Sequence, residues 1–157
     1  MLSPLAKVVQ EVTSTIVREL GEGAPPWAVS GVALDPSGLS PSTAHELAEL
    51  RIDSLYDTSV DSLRGSAAAV TVTLAGAEGD VVTVSFPLSV PASWAIAELA
   101  SQLQDHAVES ASGWARPLPP CPEHRGHPLQ AHNDGRRAVW RCPLSEHVVG
   151  PIADGVA

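Results

Sequence analysis

Both cysteines of this chain, and four of its six histidines, lie within the 27 positions that run from Cys121 to His147. Two residues separate Cys121 from His124, and four separate Cys142 from His147. Zinc prefers four ligands in a tetrahedron and takes Cys thiolate and His nitrogen. Two short ligand pairs with a hairpin between them are the plan of a zinc ribbon. The sequence therefore predicts a structural zinc site formed by Cys121, His124, Cys142 and His147.

Two alternatives to this ligand set remain open. His127 is a competing ligand, because it forms a second workable set with Cys121, His124 and Cys142, whereas His132 is a weaker candidate. The alternatives to a metal are a Cys121–Cys142 disulfide or two buried free thiols, with histidines that are ordinary surface residues. No secretion signal is visible, and stable disulfides are rare in reducing compartments. A module of roughly 40 residues also buries too little apolar area to fold by hydrophobicity alone. That shortage favours a metal staple.

The segment between the two ligand pairs predicts a β-hairpin. Asn133-Asp134-Gly135 lies near its middle, and Asp-Gly is a favoured hairpin turn. Arginine and tryptophan cluster behind this turn, and both are enriched at the energetic centres of protein interfaces. We therefore expect a protein-interaction surface made of the following residues: Arg136, Arg137, Trp140 and Arg141.

The stretch Trp114–Ile152 resembles the C-terminal module of small uncharacterised proteins of actinobacteria and their phages. The matching features are a proline-rich lead-in, the motif Cys121-Pro122-Glu123-His124, the pair His127-Pro128, and the motif Trp140-Arg141-Cys142-Pro143. The resemblance covers about a quarter of the chain. It implies a compact β module and no particular activity.

Residues 1–113 predict an α+β body. Apolar residues at helical spacing between Pro4 and Leu20, followed by Gly21, indicate a first helix. Alternating apolar and polar residues on both sides of Gly76–Asp80 indicate an antiparallel hairpin. We expect an antiparallel sheet with an N-terminal and a central helix packed on it, and a C-terminal zinc-ribbon-like β module.

The remaining predicted elements set the boundaries of this plan. They are a strand at Trp27–Leu34, a central helix that Pro91 opens and Gly113 ends, and either a helix or a strand within residues 40–64. The predicted divisions are a body at 1–113, a proline-rich linker at 114–120, and a zinc-ribbon-like module at 121–157.

Charge is distributed unevenly and bears on the kind of partner. The chain has a net charge of -9, but residues 1–113 carry -10 and residues 114–157 carry +1. An acidic body repels a polyanion, which argues against general binding of nucleic acid. Self-association or a protein partner is the expected alternative. No apolar run is long enough to span a membrane and no signal peptide is visible, so we expect a cytoplasmic or a virion protein.

No catalytic motif is evident in the sequence, and we expect a protein that is not an enzyme. The first hypothesis is a structural or adaptor protein with a structural zinc ribbon, set in a phage or phage-like assembly. One alternative is a zinc-ribbon regulator that binds nucleic acid or a transcription component. Another is a zinc-dependent hydrolase that uses Glu123 or Glu146 as a general base.

Overall fold

The computed structural model describes residues 4–35, 37, 45 and 68–156, and within them the chain is α+β. Two helices and two three-stranded antiparallel sheets make up this part, as the sequence predicts. The predicted helix or strand within 40–64 lies outside the described residues. No helix in the described part is long and apolar enough to cross a bilayer.

Helix α1 spans Pro4–Leu20 and confirms the predicted bounds. Its buried face includes Leu5, Val9, Ile16 and Leu20, which recur at the spacing of one side of a helix. Thr13 is fully buried on the same face, where its hydroxyl donates to the carbonyl of Val9 at 2.7 Å. This local bond satisfies the one polar group that the helix places in the core.

The first sheet has the strand order β1-β2-β3, with every neighbouring pair antiparallel. Strand β1 spans Ala28–Asp35, β2 spans Ala69–Ala75 and β3 spans Val81–Pro87. Alternate residues of β2 and β3 are buried, so one face of this sheet is covered more fully than the other. The predicted hairpin is thereby confirmed.

Helix α2 spans Ala92–Glu109 and ends four residues before the predicted stop at Gly113. It ends early because Ser110 adopts an extended conformation, and its hydroxyl donates to the carbonyl of Ala107 at 2.6 Å. Gly113 then donates its N–H to the Ser110 hydroxyl at 3.1 Å. Trp94, in the first turn of this helix, is 41% exposed.

The second sheet has the order β4-β5-β6, again antiparallel, with strands of four residues each. Strand β4 spans Gln130–Asn133, β5 spans Ala138–Arg141 and β6 spans Val148–Pro151. Asn133 pairs with Ala138, so the hairpin loop has four residues rather than the two of an Asp-Gly turn.

Helix α2 packs against strands of both sheets. Helix α1 packs on β1 and on α2, while α2 packs on β3, β4 and β5. One hydrophobic cluster runs from Leu5 in α1 through Leu103 in α2 to Trp140 and Ile152 in the C-terminal segment. The predicted linker contributes Leu118, which is 1% exposed, to this same cluster. The C-terminal sheet is therefore built onto the helices of the body.

Candidate metal centre

The first ligand pair lies in a tight loop between the proline-rich lead-in and β4. The backbone N–H of Cys121 donates to the carbonyl of His127 at 2.9 Å. The N–H of His127 in turn donates to the carbonyl of His124 at 2.9 Å. These two bonds close the loop, which places the Cys121 thiol and the His124 ring on its inner side.

The second ligand pair lies in the turn between β5 and β6. The N–H of Cys142 donates to the carbonyl of His147 at 2.9 Å, and the N–H of Glu146 donates back to the carbonyl of Cys142 at 2.8 Å. Glu146 adopts a positive φ of 59°, which lets the chain reverse within so few residues. This turn sets Cys142 beside the first loop.

The two loops bring three ligand atoms together. His124 Nδ1 lies 3.6 Å from Cys121 Sγ and 3.4 Å from Cys142 Sγ. The three ligand atoms all lie within 4.8 Å of one another. Zinc bonds of about 2.3 Å to sulfur and about 2.05 Å to nitrogen, at a tetrahedral angle, put the two ligand atoms about 3.6 Å apart. The observed separations match that value, so the cluster of Cys121, His124 and Cys142 is a possible metal site.

His147 lies next to this cluster. Its Nε2 atom is 4.0 Å from Cys121 Sγ, about 0.4 Å beyond the tetrahedral separation. Its Nδ1 atom is hydrogen-bonded to the hydroxyl of Ser145. The ring centroids of His147 and His124 are 6.2 Å apart. His147 therefore turns its free nitrogen toward the cluster, although it is not one of the three atoms that lie mutually close.

Local hydrogen bonds favour the thiolate form of Cys142. Burial raises the pKa of this thiol, but the backbone N–H groups of Ser145 and Leu144, the Ser145 hydroxyl and the Cys121 thiol all point at its sulfur. Their combined effect lowers the pKa of Cys142 from 9.0 to about 6. A thiolate is the form that binds a metal, so the second loop prepares its cysteine for that role.

Two other predicted ligands lie elsewhere. His127 is exposed, and its contribution to the first loop comes from its backbone. His132 is half-buried in β4, where it pairs with Val139 of β5. Among the described residues, the group with converging ligand atoms contains neither of them.

The predicted interaction residues separate into two groups. Arg136 and Arg137 are exposed in the β4–β5 loop, where their backbone N–H groups donate to Asp134 Oδ1 at 2.8 and 2.9 Å. These bonds lower the pKa of Asp134. Arg141 is half-buried, and its Nε atom has no hydrogen-bond partner in the described part of the chain.

Trp140 corrects the prediction of an exposed interaction residue, because it is 5% exposed and belongs to the core. Its indole Nε1 donates to Glu19 Oε2 at 3.0 Å. The other oxygen of the Glu19 carboxylate accepts the N–H of Ala153 at 2.9 Å. Trp140 thus attaches the C-terminal sheet to α1.

Two positioning residues were missed at the sequence level. Glu19 holds Trp140 as just described, and Gln104 of α2 donates its side-chain N–H groups to the carbonyls of Leu118 at 2.7 Å and Leu129 at 2.5 Å. Both carbonyls flank the first ligand loop. The only signal in the sequence was that each residue lies on a predicted helix, and nothing there indicated its distant partner.

The two candidate general bases differ in their surroundings. Glu123 Oε1 lies 4.0 Å from His147 Nε2, and the Glu123 side chain is 68% exposed. Glu146 is exposed in the second loop. Glu123 is therefore the carboxylate with an observed contact to His147, beside the candidate metal centre.

No protein-family model, no curated protein and no solved structure matches this chain.

Proposed function

We propose that Cys121, His124, Cys142 and His147 hold one zinc ion, which staples the two loops of the C-terminal module together. The observation that carries this proposal is the approach of both thiols to His124 Nδ1, at 3.6 and 3.4 Å. His147 Nε2 is already 4.0 Å from Cys121 Sγ, and movement of its ring toward His124 and Cys142 would complete the set of four ligands.

The surroundings of the site support a structural rather than a catalytic zinc. Structural sites use four protein ligands, whereas catalytic sites keep one position for water. Both cysteines are fully buried and belong to the hydrophobic cluster. Two thiolates and two neutral imidazoles balance the charge of Zn²⁺, so the filled site would bring no net charge into that apolar setting.

We further propose that the chain is a non-enzymatic structural or adaptor protein. Three large apolar side chains are exposed on the second loop and the edge strand β6, namely Leu144 at 55%, Val148 at 50% and Val149 at 41%. These three residues lie within six positions of one another, and grouped exposed apolar side chains support a contact with another protein. Arg136 and Arg137 add positive charge to the same module. The resemblance to proteins of actinobacteria and their phages favours a phage or phage-like assembly as the setting, with a protein partner or a second copy of the chain.

Metal analysis of the purified protein tests the zinc proposal. We expect one zinc per chain, and loss of that zinc in Cys142→Ser. His147→Ala and His127→Ala form a matched pair, because each removes one imidazole from the module. His147→Ala should weaken zinc binding strongly, while His127→Ala should leave it unchanged.

Cobalt substitution adds a readout of the coordination. A closed site with four protein ligands gives the same tetrahedral cobalt spectrum whether or not a hydrolysable ester is present. A spectrum that changes with added anions or esters, together with zinc-dependent hydrolysis that Glu123→Gln abolishes, would instead establish the hydrolase. Protein that contains no zinc after metal-replete expression would refute the proposed site.

The adaptor proposal is tested by size. Light scattering should give an oligomer, or a complex with a co-purifying protein partner, and Val148→Asp should reduce it to the monomer while Val81→Asp should not. Val81 is a suitable control because it is 65% exposed and lies in β3 of the first sheet. A protein that remains a partner-free monomer in every condition would contradict an assembly role.

A further inference from the structure

The thiols of the candidate metal centre are closed off from water. Cys121 and Cys142 are both 0% exposed, and backbone hydrogen bonds within their loops hold them in place. A metal ion must nevertheless reach both sulfur atoms, so the site needs an entry path. Because neither cysteine has a surface open to solvent, a neighbouring side chain must move before an ion can enter or leave.

The two histidines of the proposed ligand set differ in how firmly they are held. His124 Nδ1 contacts both sulfur atoms, at 3.6 and 3.4 Å. The described contact of His147 with a sulfur atom is a single one, to Cys121 at 4.0 Å, and the His147 side chain is 28% exposed. Its backbone is fixed, because its carbonyl accepts the N–H of Cys142 at 2.9 Å. The part that can move is therefore the His147 ring, and partly exposed side chains change rotamer far faster than loops rearrange.

The Nε2 atom of His147 has two alternative partners. It lies 4.0 Å from Cys121 Sγ, which is fully buried, and also 4.0 Å from Glu123 Oε1, whose side chain is 68% exposed. One ring nitrogen cannot bind a metal ion through its lone pair and donate a hydrogen bond to a carboxylate at the same time. The ring is therefore placed to face either the enclosed ligands or the carboxylate at the surface.

We propose that the zinc ion enters and leaves past the His147 ring, and that the Glu123 carboxylate is the first group of the chain to bind it. The ion passes from Glu123 to the two thiolates and His124, and His147 Nε2 then closes the site as the fourth ligand. This inference rests on the proposed zinc site and adds the route by which that site fills and empties.

The charge of the filled site indicates that Glu123 acts on rates rather than on affinity. Two thiolates and two neutral imidazoles balance the charge of Zn²⁺, so a nearby carboxylate gains little from the ion once it is bound. The free ion carries two positive charges and is attracted to Glu123 as it approaches, more weakly as salt is raised. Removing this carboxylate should slow entry and exit by the same factor and leave the dissociation constant nearly unchanged.

Stopped-flow absorption on the full-length protein tests the route. The probe is Co²⁺, because its bonds to thiolate absorb light and report directly that the ion has arrived. Mixing metal-free protein with Co²⁺ gives the association rate, and mixing loaded protein with excess chelator gives the dissociation rate. Glu123→Gln should slow both by about threefold to fivefold at low salt. Glu78→Gln removes an exposed carboxylate from the β2–β3 turn and should change neither rate.

His147→Ala separates a ring that blocks the opening from one that is only a ligand. Loss of a ligand alone speeds dissociation and does not speed association. Loss of the blocking ring speeds association as well, and we expect the association rate to rise several-fold. His127→Ala is the matched control, because it removes an exposed imidazole from the first ligand loop and should leave association unchanged.

Zinc content of the parent protein, measured in the same preparations, reports separately on the metal site. Parent protein that contains zinc, together with parent-like rates in Glu123→Gln or association no faster in His147→Ala, would overturn the route while leaving the site in place. A change confined to dissociation in Glu123→Gln would also overturn it, because Glu123 would then support only the bound ion. Parent protein without zinc would overturn both the site and the route.

Discussion

Removing the Glu19 carboxylate should weaken the attachment of the C-terminal sheet to α1. One oxygen accepts the Trp140 indole N–H at 3.0 Å and the other accepts the Ala153 N–H at 2.9 Å. The residues that donate these bonds are buried, at 5% and 7% exposure. Glu19→Ala leaves both donors without an acceptor, whereas Glu19→Gln keeps one acceptor oxygen and turns an NH₂ group toward the other donor.

The structure sets the size of the effect. A buried donor left without a partner costs about 1–3 kcal/mol. Glu19 is only half-buried, so water can reach part of the vacated space, and we expect Glu19→Ala to lower the free energy of unfolding by about 2–4 kcal/mol. Glu19→Gln should cost about half as much, because one of the two hydrogen bonds survives.

Urea unfolding followed by circular dichroism, with zinc in excess, measures this loss. Glu11→Ala is the matched control, because it makes the same change on the exposed side of the same helix and should stay within about 0.5 kcal/mol of the parent. Hydrogen exchange at the Ala153 amide should accelerate only in the Glu19 variants. If Glu19→Ala unfolds within about 0.5 kcal/mol of Glu11→Ala, the carboxylate does not hold the module.

Three further predictions concern the metal loops. Gln104→Ala should lower the free energy of unfolding by about 1–3 kcal/mol in the same urea assay, because the carbonyls of Leu118 and Leu129 lose their shared donor. An unfolding free energy equal to that of the parent would show that water replaces the Gln104 side chain as donor. Ser145→Ala should weaken zinc binding by about 10–100-fold in a chelator competition, since Ser145 orients the His147 ring; unchanged affinity would exclude this role. With zinc chelated, the parent should gain stability over Cys142→Ser as the pH rises from about 6 to 9. The pKa of Cys142 is about 6 in the folded protein and 9.0 in the unfolded chain, so the folded thiolate contributes stability fully above pH 9 and none below pH 6. Parallel curves of stability against pH for the two proteins would contradict this prediction.

Local signals predicted the elements of the fold closely. Helix α1 begins and ends at the predicted residues because a proline at the start, a glycine at the end and one apolar stripe all agree. The β2–β3 hairpin follows from strict alternation, and β1 begins one residue after its predicted start at Trp27. The end of α2 was misplaced, because Ser110 competes for the last helical carbonyl, and that competition was not recognised at the sequence level.

The ligands of the candidate site were predictable because they also depend on local spacing. The contacts that support the site were not predictable, because they join residues far apart in the sequence. Cys121, His124 and Cys142 lie in short loops, where spacing alone constrains geometry. The burial of Trp140 depends on a carboxylate 121 positions earlier in the chain. An arginine-rich hairpin with one tryptophan has the composition of an exposed surface. Only the contact with Glu19, which is distant in the sequence, shows that Trp140 occupies a core position.

The C-terminal module draws its stability from two sources that act on different parts of it. Its strands have only four residues each, and Trp140 and Ile152 are buried within the cluster that the helices share. The metal ligands lie in the loops, outside those strands. Both cysteines nevertheless belong to the same cluster. Zinc would therefore fix the shape of the loops while the helices supply the buried surface, and binding energy gained at the loops would stabilise the body through the contacts of Glu19 and Gln104.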